Sequence, residues 1–157
     1  MDRVDAATRS RNMASVRGKD TGPEIAVRQI LHSRGYRFRL HRRSLPGCPD
    51  LVFPSRKKVV FVHGCFWHSH PDCPRAKRPT SNAEFWESKI SRNVERDAGA
   101  VRALQEQGWK VLVVWECETR HKSRIAEVLE DFLGPPNREA NERQRTHPVR
   151  RKPTRRS

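Results

Sequence analysis

Many of the side chains in this chain that could bind a metal or act in catalysis lie in one short segment from His63 to Cys73, with the sequence HGCFWHSHPDC. Within it, Cys65, His70 and Cys73 lie close together in a region with prolines and few core-forming residues. Structural zinc takes four sulfur or nitrogen ligands in a tetrahedron, and Cys117, just after an apolar run, would supply the fourth. The spacing therefore predicts a structural zinc site that orders a poorly packed loop.

Two other assignments remain open for the same residues. His63 or His68 would replace Cys117 as the fourth zinc ligand if either imidazole turned towards the thiols. Alternatively, the cysteines are buried free thiols and the histidines lie on the surface without a metal. The spacing is not that of a standard zinc finger, so it does not separate these alternatives by itself.

A second set of candidate ligands consists of oxygen atoms. Asp50 opens a short apolar segment after Pro49, and twelve residues later a fully apolar run ends at Val62. This is the layout of restriction-type nucleases, in which neighbouring strand ends hold a divalent cation against the scissile phosphate. The usual Glu-x-Lys is replaced here by Phe61-Val62-His63, which leaves a backbone carbonyl, and Glu24 of the first helix offers a further carboxylate. Such oxygen ligands suit Mg²⁺, whereas Asp50 alone would also fit a turn.

His63 and His68 favour a catalytic interpretation of this region. Both imidazoles lie next to the end of the apolar run that would help to hold the metal. Hydrolysis of a phosphodiester needs a base that activates water and an acid that protonates the leaving oxygen, and imidazole serves both purposes near neutral pH. The two histidines are therefore candidate catalytic residues.

Aromatic side chains interrupt the same segment. Phe66 and Trp67 lie between the candidate catalytic and zinc-binding residues. Exposed rings beside a catalytic centre in a basic protein stack on bases or wedge between them, although packing around the zinc would also explain them. Trp86 would join them or, because of its helical spacing, be buried in the core.

The charge of the chain points to a polyanionic partner. Lys and Arg number 33 against 18 Asp and Glu in 157 residues, a net charge of +15. Residues 134–157 carry six of these net positive charges, so the basic balance survives without them. A polyanion such as DNA or RNA is the natural partner for that balance, although a basic tail on an otherwise neutral enzyme would also give it. Arg75, Lys77 and Arg78, just after the central segment, would contact phosphates.

Hydrophobic periodicity and turn residues predict the elements that position these groups. Their order is one helix, three strands, a helix, a strand and a helix, which predicts an α/β sheet flanked by helices. The predicted elements are a helix at 21–33, strands at 36–40, 51–53 and 59–62, a helix at 83–107, a strand at 111–115 and a helix at 125–132. The alternation of apolar and basic residues predicts that the strand at 36–40, which includes Leu40, is half-buried with a basic outer face. The buried stripe of the long helix would contain Phe85, Trp86, Ile90, Val94, Val101 and Leu104.

The chain divides into three parts by composition. Residues 1–20 form a polar, basic arm, 21–133 a single folded domain, and 134–157 a Pro-rich basic tail that we expect to be disordered. No signal peptide or long apolar run is present. The cysteines are then expected to be reduced or metal-bound, and the location cytoplasmic.

Several of these strings together resemble the very short patch repair endonucleases, which nick DNA 5′ to the thymine of a T:G mismatch. HGCFWH at 63–68 is the most specific of them. The other matching strings are ATRS with NM at 7–13, SLPG with PD at 44–50, EFW at 84–86, KI at 89–90, NVERD at 93–97, GW at 108–109 and VWEC at 114–117. They extend over most of the chain.

The resemblance implies a restriction-endonuclease-like fold and a role for each part of the site. Asp50 would bind Mg²⁺ with the Val62 carbonyl, and Glu24 would hold a metal-bound water. His68 would be the general base, assisted by His63 at the phosphate. Zinc would be bound by the set already named from its spacing, Cys65, His70, Cys73 and Cys117. The expected DNA contacts are Phe66, Trp67 and Trp86 as an intercalating wedge, Met13 in the minor groove, Asn93, and the three basic residues at 75, 77 and 78.

The resulting hypothesis is an Mg²⁺-dependent enzyme that nicks one strand at a T:G mismatch. It would act as a bacterial, nucleoid-associated monomer with mismatch-repair proteins as partners. A nuclease of broader mismatch or modified-base specificity, or a zinc-stabilised DNA-binding protein without catalysis, are the alternatives. Two features depart from the family pattern: Cys48 stands where Arg is frequent, and the spacing from His70 to Cys73 differs.

Overall fold

The computed structural model describes residues 21–136, which form an α/β unit. Predictions for the arm at 1–20, including Met13, and for residues 137–157 of the tail lie outside this range. The helices in it are α1 (Gly22–Ser33), α2 (Ala83–Glu106) and α3 (Lys122–Leu133). The strands are β1 (Arg39–Leu40), β2 (Leu51–Phe53), β3 (Lys58–His63) and β4 (Lys110–Trp115). The predicted α/β class and element order are confirmed.

The four strands form one mixed sheet in the order β1-β2-β3-β4. The first three are antiparallel neighbours, with Leu51 of β2 opposite Val60 of β3. β4 is parallel to β3, with Val60 opposite Leu112, and α2 makes the crossover between them. β3 is therefore central, which explains why its apolar residues are buried on both faces.

Helices cover both faces of the sheet. Val60 and Val62 of β3 pack into a core with α1 and α3, which contribute Leu31 and Leu129 among others. The alternate residues of β3 face a second core that includes Leu104 of α2. This arrangement holds the carboxyl end of β3, where the candidate site begins, between two packed layers.

The predicted strand at 36–40 is wrong in its extent. Only Arg39–Leu40 pairs as a strand, and Leu40 is 43% exposed rather than half-buried. Tyr36 is buried for a different reason: its N–H donates to the Leu31 carbonyl at the end of α1, and its hydroxyl donates to Gly134. The ring is thus placed by the helix end and by the residues that follow α3.

The predicted buried stripe of α2 is partly wrong. Trp86, Ile90 and Leu104 are buried, but Phe85 is 50% and Val94 is 41% exposed. At about 100° per residue, Trp86 and Leu104 share one direction, while Phe85 and Val94 point about 80–100° away from it. The stripe that faces the sheet is therefore narrower than the sequence pattern suggested.

Side chains on the sheet hold the end of α3 in place. Arg56 donates to the carbonyls of Leu133 and Pro135, and Lys58 Nζ donates to Phe132. These contacts continue beyond the predicted domain boundary at Leu133. Among the described residues, no helix combines the length and apolar character that a membrane span requires.

The turn before β2 packs tightly against α2, and it leads directly to Asp50. Gly47 has φ +71°, and a Cβ at this position would lie 2.7 Å from the Cβ of Ala100 and 3.2 Å from the Phe61 ring. Only glycine can both adopt this positive φ without strain and avoid a clash with Ala100 and Phe61. The turn therefore fixes the chain entry into the candidate site.

Gly47→Ala is expected to lower the free energy of unfolding by about 2–4 kcal/mol, from the left-handed backbone and the overpacking together. Urea denaturation measures this change. Gly99→Ala is the matched control, because a Cβ there meets nothing within 4 Å. That helical site should gain up to about 1 kcal/mol, and equal effects of the two substitutions would contradict the proposed tight packing.

Candidate active site and metal centre

Asp50 lies at the junction of β2 with the end of β3. It immediately precedes β2, and the Val62 N–H donates to its Oδ2 at 2.7 Å. In a strand the N–H and C=O of one residue point to the same edge. The Val62 carbonyl is therefore directed to the side of the sheet where Asp50 lies, as a shared oxygen site requires.

The environment of Asp50 opposes ionisation. Burial, aided by the negative charge of Glu24, raises the pKa of its carboxyl from 3.8 to about 6, against the lowering effects of the Val62 hydrogen bond, His41 and His68. A buried carboxylate with a raised pKa gains much from a bound cation, which compensates for the lost solvation.

Glu24 and His41 lie next to Asp50 and form a candidate metal-binding group with it. Glu24, in the first turn of α1, is 3% exposed, and its Oε2 lies 3.1 Å from Arg28 Nη2 and 3.4 Å from His41 Nε2. His41 Nδ1 lies 3.7 Å from Asp50 Oδ1. One ligand atom each of Glu24, His41 and Asp50 falls within 4.8 Å of the others. The two carboxylates fit a hard divalent cation such as Mg²⁺.

His63 and His68 form a stacked pair beside this group. Their ring centroids are 3.9 Å apart with planes 6° from parallel, and His68 Nδ1 lies 2.6 Å from Asp97 Oδ2. Burial, and then the proximity of the His68 imidazole, lower the pKa of His63 to about 4. His63 is thus neutral at physiological pH, while His68 is oriented by a carboxylate.

The sequence predicted no role for His41 or Asp97. In the predicted strand at 36–40 the basic residues alternate with apolar ones, so His41, next in that alternation, is expected on the solvent side. Asp97 belongs to α2, 29 residues from its partner His68. An acidic residue inside the matched NVERD string was the only available signal for Asp97, and none existed for His41.

The predicted zinc ligands converge on one point. Cys65, His70, Cys73 and Cys117 each offer an atom within 4.8 Å of the others, and His70 Nδ1 lies 3.7 Å from Cys65 Sγ and 3.5 Å from Cys117 Sγ. Tetrahedral zinc, with bonds of roughly 2.3 Å to sulfur and 2.0–2.1 Å to nitrogen, separates such atoms by roughly 3.6 Å. The donor set and its spacing fit structural zinc.

The four-ligand group is partly buried: Cys65 is buried, and the other three residues are partly exposed. His70 stacks on Trp115 at 4.3 Å, which orients the imidazole. Burial raises the pKa of the Cys65 thiol to about 12, so in the absence of a cation this sulfur stays protonated. His63 and His68 group with Asp97 instead of with the thiols.

The aromatic residues form one cluster next to the histidine pair. The Phe66 ring is 5.1 Å from Trp67 and 5.4 Å from Trp86, and Lys89 Nζ lies 5.5 Å from the Trp67 ring. Asn93 donates from Nδ2 to the Trp67 carbonyl at 3.2 Å. Trp86, only 6% exposed, is both a core residue and a member of this cluster.

The arginines near the loop take part in ion pairs. Arg75 Nη1 lies 2.9 Å from Glu116 Oε1, which ties the loop to the segment after β4. Arg78 pairs with Glu87 of α2 and also lies 3.3 Å from Ser69 Oγ. Lys77 is exposed. These contacts brace the loop from two sides and leave Lys77 on the surface.

The carboxylate group and the histidine pair open onto the same cavity. Its volume is about 970 Å³, and Asp50, Glu24, His63, His68 and Asp97 all line it, with Trp67 and Lys89 at its side. A cation held by carboxylates and a histidine–carboxylate pair across one cleft is an arrangement that can hydrolyse a phosphodiester.

Comparisons with known proteins agree with this chemistry. A family model described as DNA mismatch endonuclease Vsr matches residues 1–75. The type II nicking enzyme V.XorIIP of Xanthomonas oryzae is 49% identical over 134 residues, which cover 85% of this chain and 98% of that protein. The DNA mismatch endonuclease Vsr of Escherichia coli is 45% identical, covering 82% and 85%. The type II nicking enzyme V.NmeAIP of Neisseria meningitidis is 41% identical, covering 82% and 91%.

Proposed function

Because the chain belongs to the DNA mismatch endonuclease Vsr family, we propose that it nicks DNA 5′ to the thymine of a T:G mismatch and requires Mg²⁺. It is a nicking endonuclease of mismatch repair, as its family shows. Our proposal concerns the mismatch that is recognised, the position of the nick and the identity of the cation. The observation that carries the proposal is the common cavity of the carboxylates and the histidine pair.

In the proposed site, Asp50 and the Val62 carbonyl would hold Mg²⁺, with Glu24 directing a bound water. When bound, Mg²⁺ polarises the phosphate and neutralises charge on the leaving oxygen. The partly buried Asp50 contributes its ionised carboxylate, and the Val62 N–H fixes the orientation of that carboxylate through the 2.7 Å hydrogen bond.

His68 is the proposed general base. Asp97 faces its Nδ1 at 2.6 Å, so Nδ1 carries the proton and Nε2 is free to take one from the attacking water. His63, held neutral by burial, is proposed to donate a hydrogen bond to a phosphate oxygen. Its parallel stacking on His68 aligns both rings towards the cavity.

Asp97→Asn tests the orientation of His68. The amide cannot hold the imidazole in the same tautomer as firmly, so nicking should fall by about 10²-fold or more at neutral pH. Single-turnover nicking of a mismatched duplex gives the rate, and circular dichroism monitors folding. Asp131→Asn, an exposed acidic residue of α3, is the control. A rate for Asp97→Asn equal to that of this control would remove Asp97 from the mechanism.

The aromatic cluster is proposed to recognise the mismatch by unstacking. Phe66 and Trp67 would enter the duplex beside the mispair, where separating the bases costs less than in a paired stack, and Trp86, which is 6% exposed, would have to turn outward to join them. Met13 would act from the minor groove. Asn93, Arg75, Lys77 and Arg78 are proposed DNA contacts on the basic surface.

The four-ligand thiol and imidazole group is proposed to bind one structural zinc ion. Its closed set of four protein ligands leaves no position for substrate, which is typical of structural sites. Zinc would thus fix the loop that carries His68, Phe66 and Trp67. We further propose that the protein acts as a monomer in the cytoplasm, on nucleoid DNA, together with mismatch-repair proteins.

The proposed specificity is tested on end-labelled duplexes that differ only in one base pair. Strand-specific nicking 5′ to thymine is expected with T:G and Mg²⁺, and no product with EDTA. Cleavage of T:G and T:A duplexes at equal rates would contradict mismatch specificity. A panel of other mispairs and modified bases then decides whether the target is broader than T:G.

A further inference from the structure

Two exposed arginines line the cavity of the candidate active site. Arg43 belongs to the connection between β1 and β2, and Arg96 belongs to α2. The groups proposed for the chemistry lie deeper, since the Asp50 side chain is 14% exposed and His63 is 7% exposed. The carboxylates and imidazoles therefore form the floor of the cavity, and the two arginines lie at its rim.

No acidic residue of the described part of the chain neutralises these two arginines. Glu116, which lines the same cavity, pairs with Arg75 at 2.9 Å. Among residues 21–136, neither Arg43 nor Arg96 makes an ion pair of this kind. Both positive charges are therefore available to an anion that enters the cavity.

The cavity needs positive charge at its rim to accept a nucleic acid. It is lined by four carboxylates, those of Glu24, Asp50, Asp97 and Glu116. A cation at Asp50 offsets the repulsion of a phosphate at the floor only, and Lys89 Nζ faces the Trp67 ring at 5.5 Å. Arginine keeps its charge at any physiological pH and can bind a phosphate with two parallel hydrogen bonds.

The tight turn at Gly47 holds the elements of the two arginines together. A Cβ on Gly47 would lie 2.7 Å from the Cβ of Ala100, which follows Arg96 by about one turn of α2. Arg43 lies four residues before Gly47 in the same connection. The contact that fixes the chain entry to Asp50 therefore also fixes the backbones of both arginines relative to each other.

We propose that Arg43 and Arg96 bind the backbone phosphates that flank the scissile phosphate and so hold the cut strand in the cavity. The inference rests on the proposed function, because it takes the floor of the cavity as the place of the scissile phosphate. Contacts to phosphates fix the position of a duplex but carry no sequence information. The two arginines therefore strengthen binding of matched and mismatched DNA alike.

The test measures how the affinity of the zinc-loaded full chain for duplex DNA depends on salt, without added Mg²⁺ so that the duplex stays intact. Each phosphate contact contributes about 0.9 to the slope of log affinity against log salt concentration. Arg43→Gln and Arg96→Gln should each reduce this slope by about 0.9 and weaken binding about tenfold, for T:G and T:A duplexes alike. Arg43→Lys and Arg96→Lys keep the charge and should retain the slope.

Arg102→Gln is the matched control, because Arg102 is an exposed residue of α2 that does not line the cavity. Its slope should equal that of the wild type. An unchanged slope in Arg43→Gln or Arg96→Gln, or an equal reduction in Arg102→Gln, would overturn the inference. Equal nicking of T:G and T:A duplexes by the wild type with Mg²⁺ would instead contradict the proposed function, and a reduced slope in the two variants would still assign the phosphate contacts.

Discussion

Asp50→Asn is expected to abolish mismatch nicking and, at neutral pH, to make the protein more stable. Loss of the ionised ligand removes several kcal/mol of transition-state stabilisation, so the rate should fall by about 10³-fold or more. The amide oxygen can still accept the hydrogen bond that Asp50 Oδ2 receives from the Val62 N–H. The fold is therefore retained while the chemistry is lost.

The gain in stability follows from the raised pKa of Asp50. Its folded value of about 6 exceeds the unfolded value near 3.8, so the folded state favours the protonated carboxyl. Protonation of Asp50 stabilises the folded state to its full extent below about pH 4, and this stabilisation is lost as the pH rises through about 6. Above that pH the buried charge destabilises the wild type by up to about 3 kcal/mol in the absence of a cation, a penalty that asparagine does not carry.

Urea denaturation in EDTA at several pH values measures this difference. The free energy of unfolding of Asp50→Asn should exceed that of the wild type by the largest amount above pH 6, and the difference should vanish towards pH 4. Asp131→Asn removes the same charge from an exposed site of α3 and should change stability by less than about 0.5 kcal/mol. A pH-independent difference would show that burial of the Asp50 charge is not its cause.

Cys117→Ser is the second substitution with a large expected effect. Structural zinc contributes folding free energy directly, so loss of one thiolate should lower zinc content well below one equivalent and destabilise the protein by about 3–5 kcal/mol. Nicking should fall by at least about 10²-fold, because the loop that carries His68 loses its fixed geometry. Metal analysis after dialysis and thermal unfolding measure the first two effects.

Cys48→Ser provides the matched control for the zinc centre. Cys48 is also a free, partly exposed cysteine, but it does not belong to the four-ligand group. Its substitution should leave zinc content and the unfolding temperature unchanged. One tightly held zinc ion in Cys117→Ser would mean that another residue, such as His63 or His68, completes the set.

The elements were predictable where local periodicity and tertiary packing agree. The continuous apolar runs predicted the strands β3 and β4, of which β3 is buried and β4 mostly half-buried, and Thr21 with Pro23 predicted the start of α1. Leu40, Phe85 and Val94 were predicted to be buried or half-buried and are exposed. Alternation and helical spacing give the direction of a side chain, but they do not reveal whether another element covers it.

The candidate site was predictable where its residues are close in the sequence. Cys65, His70 and Cys73 share one loop, and their spacing alone suggested a metal. The contacts of His68 with Asp97, and of His41 with Glu24, join residues that are distant along the chain. They depend on how α1 and α2 pack on the sheet, which no local pattern contains.

The connectivity of the proposed zinc centre implies an order of assembly. Cys65 directly follows β3, but Cys117 follows β4, which reaches its place only after the whole of α2 has crossed the sheet. During synthesis on the ribosome, the four-ligand group cannot close until the last strand has emerged and paired. The loop that carries His68 therefore becomes ordered only after the sheet has formed. A nascent chain that lacks β4 does not yet have a complete active site.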